Sequence, residues 1–170
     1  IPHFAISIAH EENGELVAGM VYEPLRDEAF WAVKGVGAYL NNRRLRVSAR
    51  RNLADAILAT GIPFGDRPGK WEALATLAPV MEQTAGLRRF GAASLDLAYV
   101  AAGRYDAFWE FGLAPWDTAA GIILVREAGG FVSEIGGTGD PMNSDTILAA
   151  NDALFDAVGR MIRGAVANKG

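Results

Sequence analysis

The sequence predicts a mixed α/β fold, α+β in arrangement: an antiparallel β-meander followed by an α/β layer. Two observations carry this. Before about residue 50, apolar residues recur with period two between hairpin turns. From Ala56 onward, short apolar runs alternate with stretches of helical spacing, the pattern of helices packed on a mostly buried sheet.

The meander opens with Phe4, Ile6 and Ile8 alternating with Ala5, Ser7 and Ala9, so that Ile1 to Ala9 reads as strand. Asn13-Gly14 is a strong hairpin signal, and Leu16 to Tyr22 returns as the second strand. After a turn at Pro24 to Asp27, Glu28 to Val33 forms a third strand carrying Phe30 and Trp31. Ala38 to Leu40 and Arg44 to Val47 complete the meander, with no helix expected before about residue 66. Ser48 to Asp55 is polar and joins the halves, as a linker or as a crossover without a helix.

In the second half, Ala56 to Thr60 is a strand stopped by Gly61 and Pro63. Lys70 to Thr84 has helical spacing, with Pro79 expected to kink or split it. Leu87 to Phe90 is a strand, Ala93 to Ala102 a helix ended by Gly103, and Asp106 to Glu110 a strand. Pro115 and Gly129 frame a helix to Ala128. Phe131 to Ser133 and Ile147 to Ala150 are strands, and Asn151 is expected to cap a last helix from Asp152 to about Gly164. The halves therefore divide as 1–50, sheet, and 51–170, α/β.

Composition narrows the function classes. A chain of 170 residues that is 51% apolar buries roughly 70% of the surface its unfolded form exposes and needs no staples. With 16 basic against 20 acidic residues, it carries no nucleic-acid or anionic-membrane footprint. Zero Cys removes disulfides, thiolate zinc sites, Fe–S clusters and cysteine nucleophiles, and suits a reducing, cytoplasmic setting. No apolar run approaches the ~20 residues of a membrane span, and these residues show no charged-then-apolar signal-peptide pattern.

Three places combine small residues, strand ends and acids. Phe90-Gly91-Ala92-Ala93-Ser94 lies between a strand and a helix, where bare backbone admits a ligand and free N–H groups attract anions. Tight helix–sheet packing explains the small residues equally well. Glu110 ends an apolar strand among three aromatics (Phe108, Trp109, Phe111), a costly burial without a partner unless it turns outward. Asp117 falls in the first turn of the Pro115 helix, which helix capping alone would explain. Facing the same crevice as Gly91, it could instead contribute one oxygen to a hard cation.

The remaining candidates are weaker. His3 and His10 have no partner at ligand spacing, and Ser94 lacks a nucleophile elbow. Gly136 to Gly139 reads as a turn. Arg88 and Arg89 add positive potential before the Gly91 loop or line a solvated strand edge, and Arg43, Arg44, Arg46, Arg50 and Arg51 form an exposed basic face.

Trp116-Asp117-Thr118-Ala119-Ala120-Gly121, continuing through Leu124 to Gly130, resembles the C-terminal signature of the inositol monophosphatase family. The resemblance extends to Ile1–Ala9, Gly19–Pro24, Lys34–Tyr39, Leu45–Ser48 and Arg89–Ser94, the last like the bacterial branch. It implies a layered αβαβα sandwich and a Mg²⁺-dependent phosphomonoesterase acting on inositol monophosphate. Carried over residue by residue, it makes Asp117 a catalytic metal ligand, places Gly91, Ala92 and Ala93 in the substrate loop, and sets Glu110 against the inositol hydroxyls.

This sequence departs from the family pattern in lacking Asp-Pro-x-Asp-Gly-Thr. The remaining Mg²⁺ ligands are expected upstream of Ile1, which makes the chain read as cut from something longer and inactive alone. Fructose-1,6-bisphosphatase, 3′-nucleotidase and histidinol-phosphatase activities remain alternatives on one scaffold, as does a non-catalytic binding or regulatory module. The expected ligand is a small phosphorylated polyol. Without the family's N-terminal helices, Phe4, Ile6, Phe30 or Trp31 are expected at the surface, favouring self-association; the resemblance itself implies a homodimer.

Overall fold

The structure is a computed structural model that describes residues 2–168. Ile1, placed at the head of the first strand by its sequence, lies outside the described residues. The first sheet is an antiparallel meander of β1 (Ile6–Glu12), β2 (Glu15–Glu23), β3 (Glu28–Val33), β4 (Gly37–Leu40) and β5 (Arg43–Arg44), in that order. Its first hairpin turns at Asn13 (φ 53°) and Gly14 (φ 80°). Two successive positive φ values match the right-handed strand twist, which is why Asn-Gly is favoured there. The first strand begins at Ile6 rather than at the chain start and runs on to Glu12, past an irregularity at His10/Glu11.

The second sheet contains β6 (Ile57–Thr60), β7 (Gly86–Arg88), β8 (Ala107–Phe111), β9 (Phe131–Ser133) and β10 (Thr146–Ala150). Its spatial order is β7-β6-β8-β10-β9, with β6 parallel to β7 and β8, and β10 antiparallel to both neighbours. Helices α1 (Lys70–Gln83), α2 (Ala93–Ala101), α3 (Pro115–Glu127) and α4 (Phe155–Ala167) complete the chain.

The strand alternation of β8 divides the core in two. Phe108 packs with Val21 and Phe30 of the first sheet and with Leu97 and Ile122 of α2 and α3, so these helices fill the space between the sheets. Ala107, Trp109 and Phe111 point the other way, to Val80 of α1 and Val158 and Ile162 of α4. The layers therefore run sheet, helix pair, sheet, helix pair. The fold is the mixed α/β one predicted, with both faces of β8 buried.

Five local expectations are corrected. The strand expected over Arg44 to Val47 is only the two-residue β5, Arg43–Arg44. Pro79 does not split its helix: α1 runs unbroken from Lys70 to Gln83. Beside the proline, the Thr76 hydroxyl bonds the Ala73 carbonyl at 2.7 Å and accepts the Trp109 indole N–H at 3.0 Å. The last helix starts at Phe155, not Asp152, because the Asn151 side chain takes the Leu154 N–H at 2.9 Å and closes a turn first. The strand predicted to reach Phe90 ends at Arg88. Phe30 is fully buried rather than exposed, since its register with Val21 turns it inward. Phe4, Ile6 and Ile8 are exposed, and Trp31 is half-buried, stacked on Tyr39 at 4.5 Å.

The polar segment before β6 is pinned by a buried acid. Asp106 is 0% exposed and accepts from the Ser48 hydroxyl, from Arg50 Nη1 at 3.0 Å and from the Ile57 N–H at 2.7 Å. Asn151 Nδ2 bonds Ser48 Oγ at 2.8 Å and the Arg50 carbonyl at 2.9 Å, so residues 48–57 are tied to the starts of β6 and β8 and the end of β10. A short 3-10 turn at Leu53–Asp55 also sits here, capped by Asn52 and missed from sequence. Removing one partner of such a buried pair strands the others. Asp106→Ala is expected to cost about 3 kcal/mol of unfolding free energy in urea titrations, and Arg50→Ala, whose side chain is 44% exposed, distinctly less.

Candidate active site

The site forms where β8 ends and two helices begin. Gly91 adopts a positive φ of 86°, which reverses the chain after β7 and delivers it to α2. No side chain caps that helix: Ala92 occupies the cap position, and the first amide bonded back along the helix is Asp96 N–H, to the Ala92 carbonyl. Its leading N–H groups therefore stay free for an anion. At α3 the Asp117 side chain turns back, and its Oδ2 accepts the Ala114 N–H at 3.0 Å. The capping role expected of Asp117 is thus real, yet it engages one carboxylate oxygen with the helix and leaves Oδ1 for another partner.

These pieces share one cavity of about 300 Å³, lined among others by Gly91, Ala92, Ala93, Ser94, Glu110 and Asp117. All five residues singled out from sequence line it. Sequence reasoning missed Arg67, from the loop before α1, and set His3 aside for want of a partner at ligand spacing, although both line this cavity. Arg67 lies in a loop without a motif, and His3 arrives by tertiary packing against Phe90, ring centroids 5.3 Å apart. Arg89 lies beside the Gly91 loop, its guanidinium over the Phe64 ring at 4.8 Å.

Carboxyl and guanidinium groups share the cavity. Burial, then the charge of Asp117, pushes the Glu110 carboxyl up to about 7, against the pull of Arg89 and Arg67. Behind it stands Asp96 in the first turn of α2, fully buried, with neither oxygen hydrogen-bonded. Burial and then Glu110 push Asp96 up to about 8. The one signal for Asp96 in the sequence was an acid flanked by Leu95 and Leu97.

A larger cavity of about 730 Å³ lies alongside, lined by Glu23, Arg26, Glu28, Tyr99 and Arg104 among others. Its charges are already matched: Arg104 binds Glu28 through both nitrogens at 2.6 and 2.7 Å, and Tyr99 donates to Glu23 at 2.7 Å while accepting from Arg26 at 2.6 Å. The smaller cavity has the unmatched groups.

A free Asp117 oxygen beside Glu110 suits a hard divalent cation, which takes oxygen donors and retains water. Among the described residues, however, no group of three His, Cys, Asp or Glu side chains could hold a metal. The chain's fit to such an ion is one wall of a ligand set.

The suppressed ionisation of Asp96 sets a pH dependence. The folded chain holds this proton up to about pH 8, whereas the unfolded carboxyl releases it near 3.8. Stability is therefore highest below the lower value and falls as pH rises between the two, by up to about 1.4 kcal/mol per pH unit from this group. Urea titrations from pH 5 to 8 are expected to show that decline, and Asp96→Asn to flatten it by about that slope.

Comparison with known proteins agrees with the fold. The profile of the Inositol monophosphatase family matches residues 1–166. An inositol-1-monophosphatase from Rhizobium meliloti is 48% identical over 169 residues, 99% of this chain and 64% of that protein. The Nus factor SuhB of Pseudomonas aeruginosa is 52% identical over 160 residues, covering 93% of this chain and 59% of that protein. The crystal structure of the extragenic suppressor protein suhB from Bartonella henselae superposes with a TM-score of 0.89 at 49% identity, over 98% of this chain and 62% of that one. The chain thus spans less than two thirds of the length of each of these relatives.

Proposed function

From the premise that the chain belongs to the inositol monophosphatase family, we propose that it supplies one wall of the active site of a Mg²⁺-dependent phosphomonoesterase that hydrolyses inositol monophosphate to inositol and phosphate. The observation that supports this most is the meeting of the α2 start, Glu110 and Asp117 around one cavity. A volume of about 300 Å³ suits a small ligand. In the same reading the enzyme is a cytoplasmic homodimer, and residues 1–50 and 51–170 belong to an N-terminal and a C-terminal lobe. No helix among the described residues is long and apolar enough to cross a membrane.

Asp117 would hold the metal through Oδ1, its other oxygen keeping the carboxylate oriented on Ala114. Mg²⁺, when bound, supplies Lewis acidity toward a phosphate oxygen and a lowered pKa for attacking water. The chain's own residues do the rest. The amide N–H groups at the start of α2 donate to the phosphate oxygens without side-chain competition. Arg67 brings a positive charge to the same cavity. Glu110, when ionised, accepts hydrogen bonds from polyol hydroxyls, and because its carboxyl sits near neutrality its charge responds to whatever cation approaches.

A second reading, a non-catalytic binding role, draws on the similarity to a protein named Nus factor and on the exposed side chains of Arg43, Arg44, Arg46 and Arg51.

Turnover distinguishes the two. The 170-residue chain alone is expected to show negligible hydrolysis of inositol monophosphate and weak Mg²⁺ binding by calorimetry. Preceded by a segment carrying the family's acidic metal motifs, it is expected to turn over, and Asp117→Asn to lower kcat by about 100-fold or more. Absence of turnover in that longer protein would favour the binding role.

A further inference from the structure

Gly61 is buried at the end of β6, one residue beyond the Thr60–Trp109 pair of the parallel β6–β8 register, and so lies beside Glu110. Thr60 Oγ1 bonds the Trp109 carbonyl at 2.7 Å and holds the two strand ends together. Ile57 and Ala59 face the core between the sheets, and strand alternation turns position 61 to that same side, the side on which Phe108 and Glu110 stand. Gly61 is not among the glycines with positive φ, so backbone freedom does not account for it. Space does. A Cβ at Gly61 would fall well inside 3.0 Å of Glu110, and the three heavy atoms nearest to it are Cδ, Oε1 and Oε2 of that one carboxylate.

We propose that Gly61 is a positioning residue that determines specificity: its missing side chain is the seat of the Glu110 carboxylate. The bare Cα lets the carboxylate lie across β6, which leaves the cavity open on the side assigned to the polyol. A methyl at position 61 cannot share that space. What yields is the flexible end of Glu110, not the sheet, so the carboxylate is driven out of its seat and the sugar side of the cavity is reshaped. The specificity part rests on the reading of Glu110 as the polyol contact; the seating part does not.

The test is Gly61→Ala in this chain, with the Glu110 carboxyl followed by ¹³C NMR and unfolding by thermal denaturation. The Glu110 titration midpoint is expected to move by more than about half a pH unit, while the thermal midpoint changes by less than about 2 °C. In a Glu110→Ala background the same substitution is expected to leave the thermal midpoint unchanged. An unmoved Glu110 midpoint, or a thermal loss above about 2 °C that is equal with and without the Glu110 side chain, overturns the proposal. If the single variant does not fold, the double variant decides: folded, it supports the seat; unfolded, it overturns it. In the longer active protein, Gly61→Ala is expected to raise KM for inositol monophosphate about tenfold with kcat within about threefold, and an unchanged KM overturns the specificity part. Failure of the phosphatase reading would leave the NMR and stability results standing, so the two failures are distinguishable.

Discussion

Strand β8 is buried on both faces, and this leaves Glu110 a single place to be. Trp109 and Phe111 fill the outer core and Phe108 the inner one, so the ionisable residue between them can keep access to solvent only at the strand's end. That end lies where α2 and α3 both begin, and uncapped N–H groups with their aligned dipoles favour negative charge there. A carboxylate, an anion-attracting helix start and a second carboxylate on α3 thus meet because one strand has no other outlet. The acidity of Glu110 follows from the same confinement, with burial the larger cause and Asp117 the smaller.

The surrounding structure holds this arrangement still. Asp106, at the opposite end of β8, gathers Ser48, Arg50 and the Ile57 amide, and Thr60 ties β6 to β8 near the site. A strand tied at both ends holds Glu110 in place near its end. Asp96 is the expensive component: a buried acid with no hydrogen-bond partner that folds most readily as the neutral form. Its proximity to Glu110 couples the protonation of the two, and a cation in the cavity would relieve both.

Much of the fold was legible in local sequence. Period-two alternation and Asn13-Gly14 announce the meander, and Pro115 with Gly129 bracket α3. The errors have local causes. Asn151 was read as a helix cap when its side chain closes a turn before the helix. Pro79 was read as a breaker, although burial of Val80 and the Thr76–Trp109 hydrogen bond act on the same stretch. Phe30 was expected at the surface because the family's N-terminal helices precede this sequence, but it stands on the opposite sheet face, in the core with α2 and α3.

By itself the sequence determined most of the elements, their order and the candidate site residues, because periodicity, turn chemistry and small-residue loops are local properties. Gly91–Ala93, Glu110 and Asp117 could be named from their neighbours alone. Only the tertiary structure decided that they share one cavity with Arg67 and His3, that Asp96 stands behind Glu110, and that Gly61 makes room for a carboxylate forty-nine positions away in the chain. Those facts depend on which strand lies beside which, and strand order is a long-range property that no window of sequence contains.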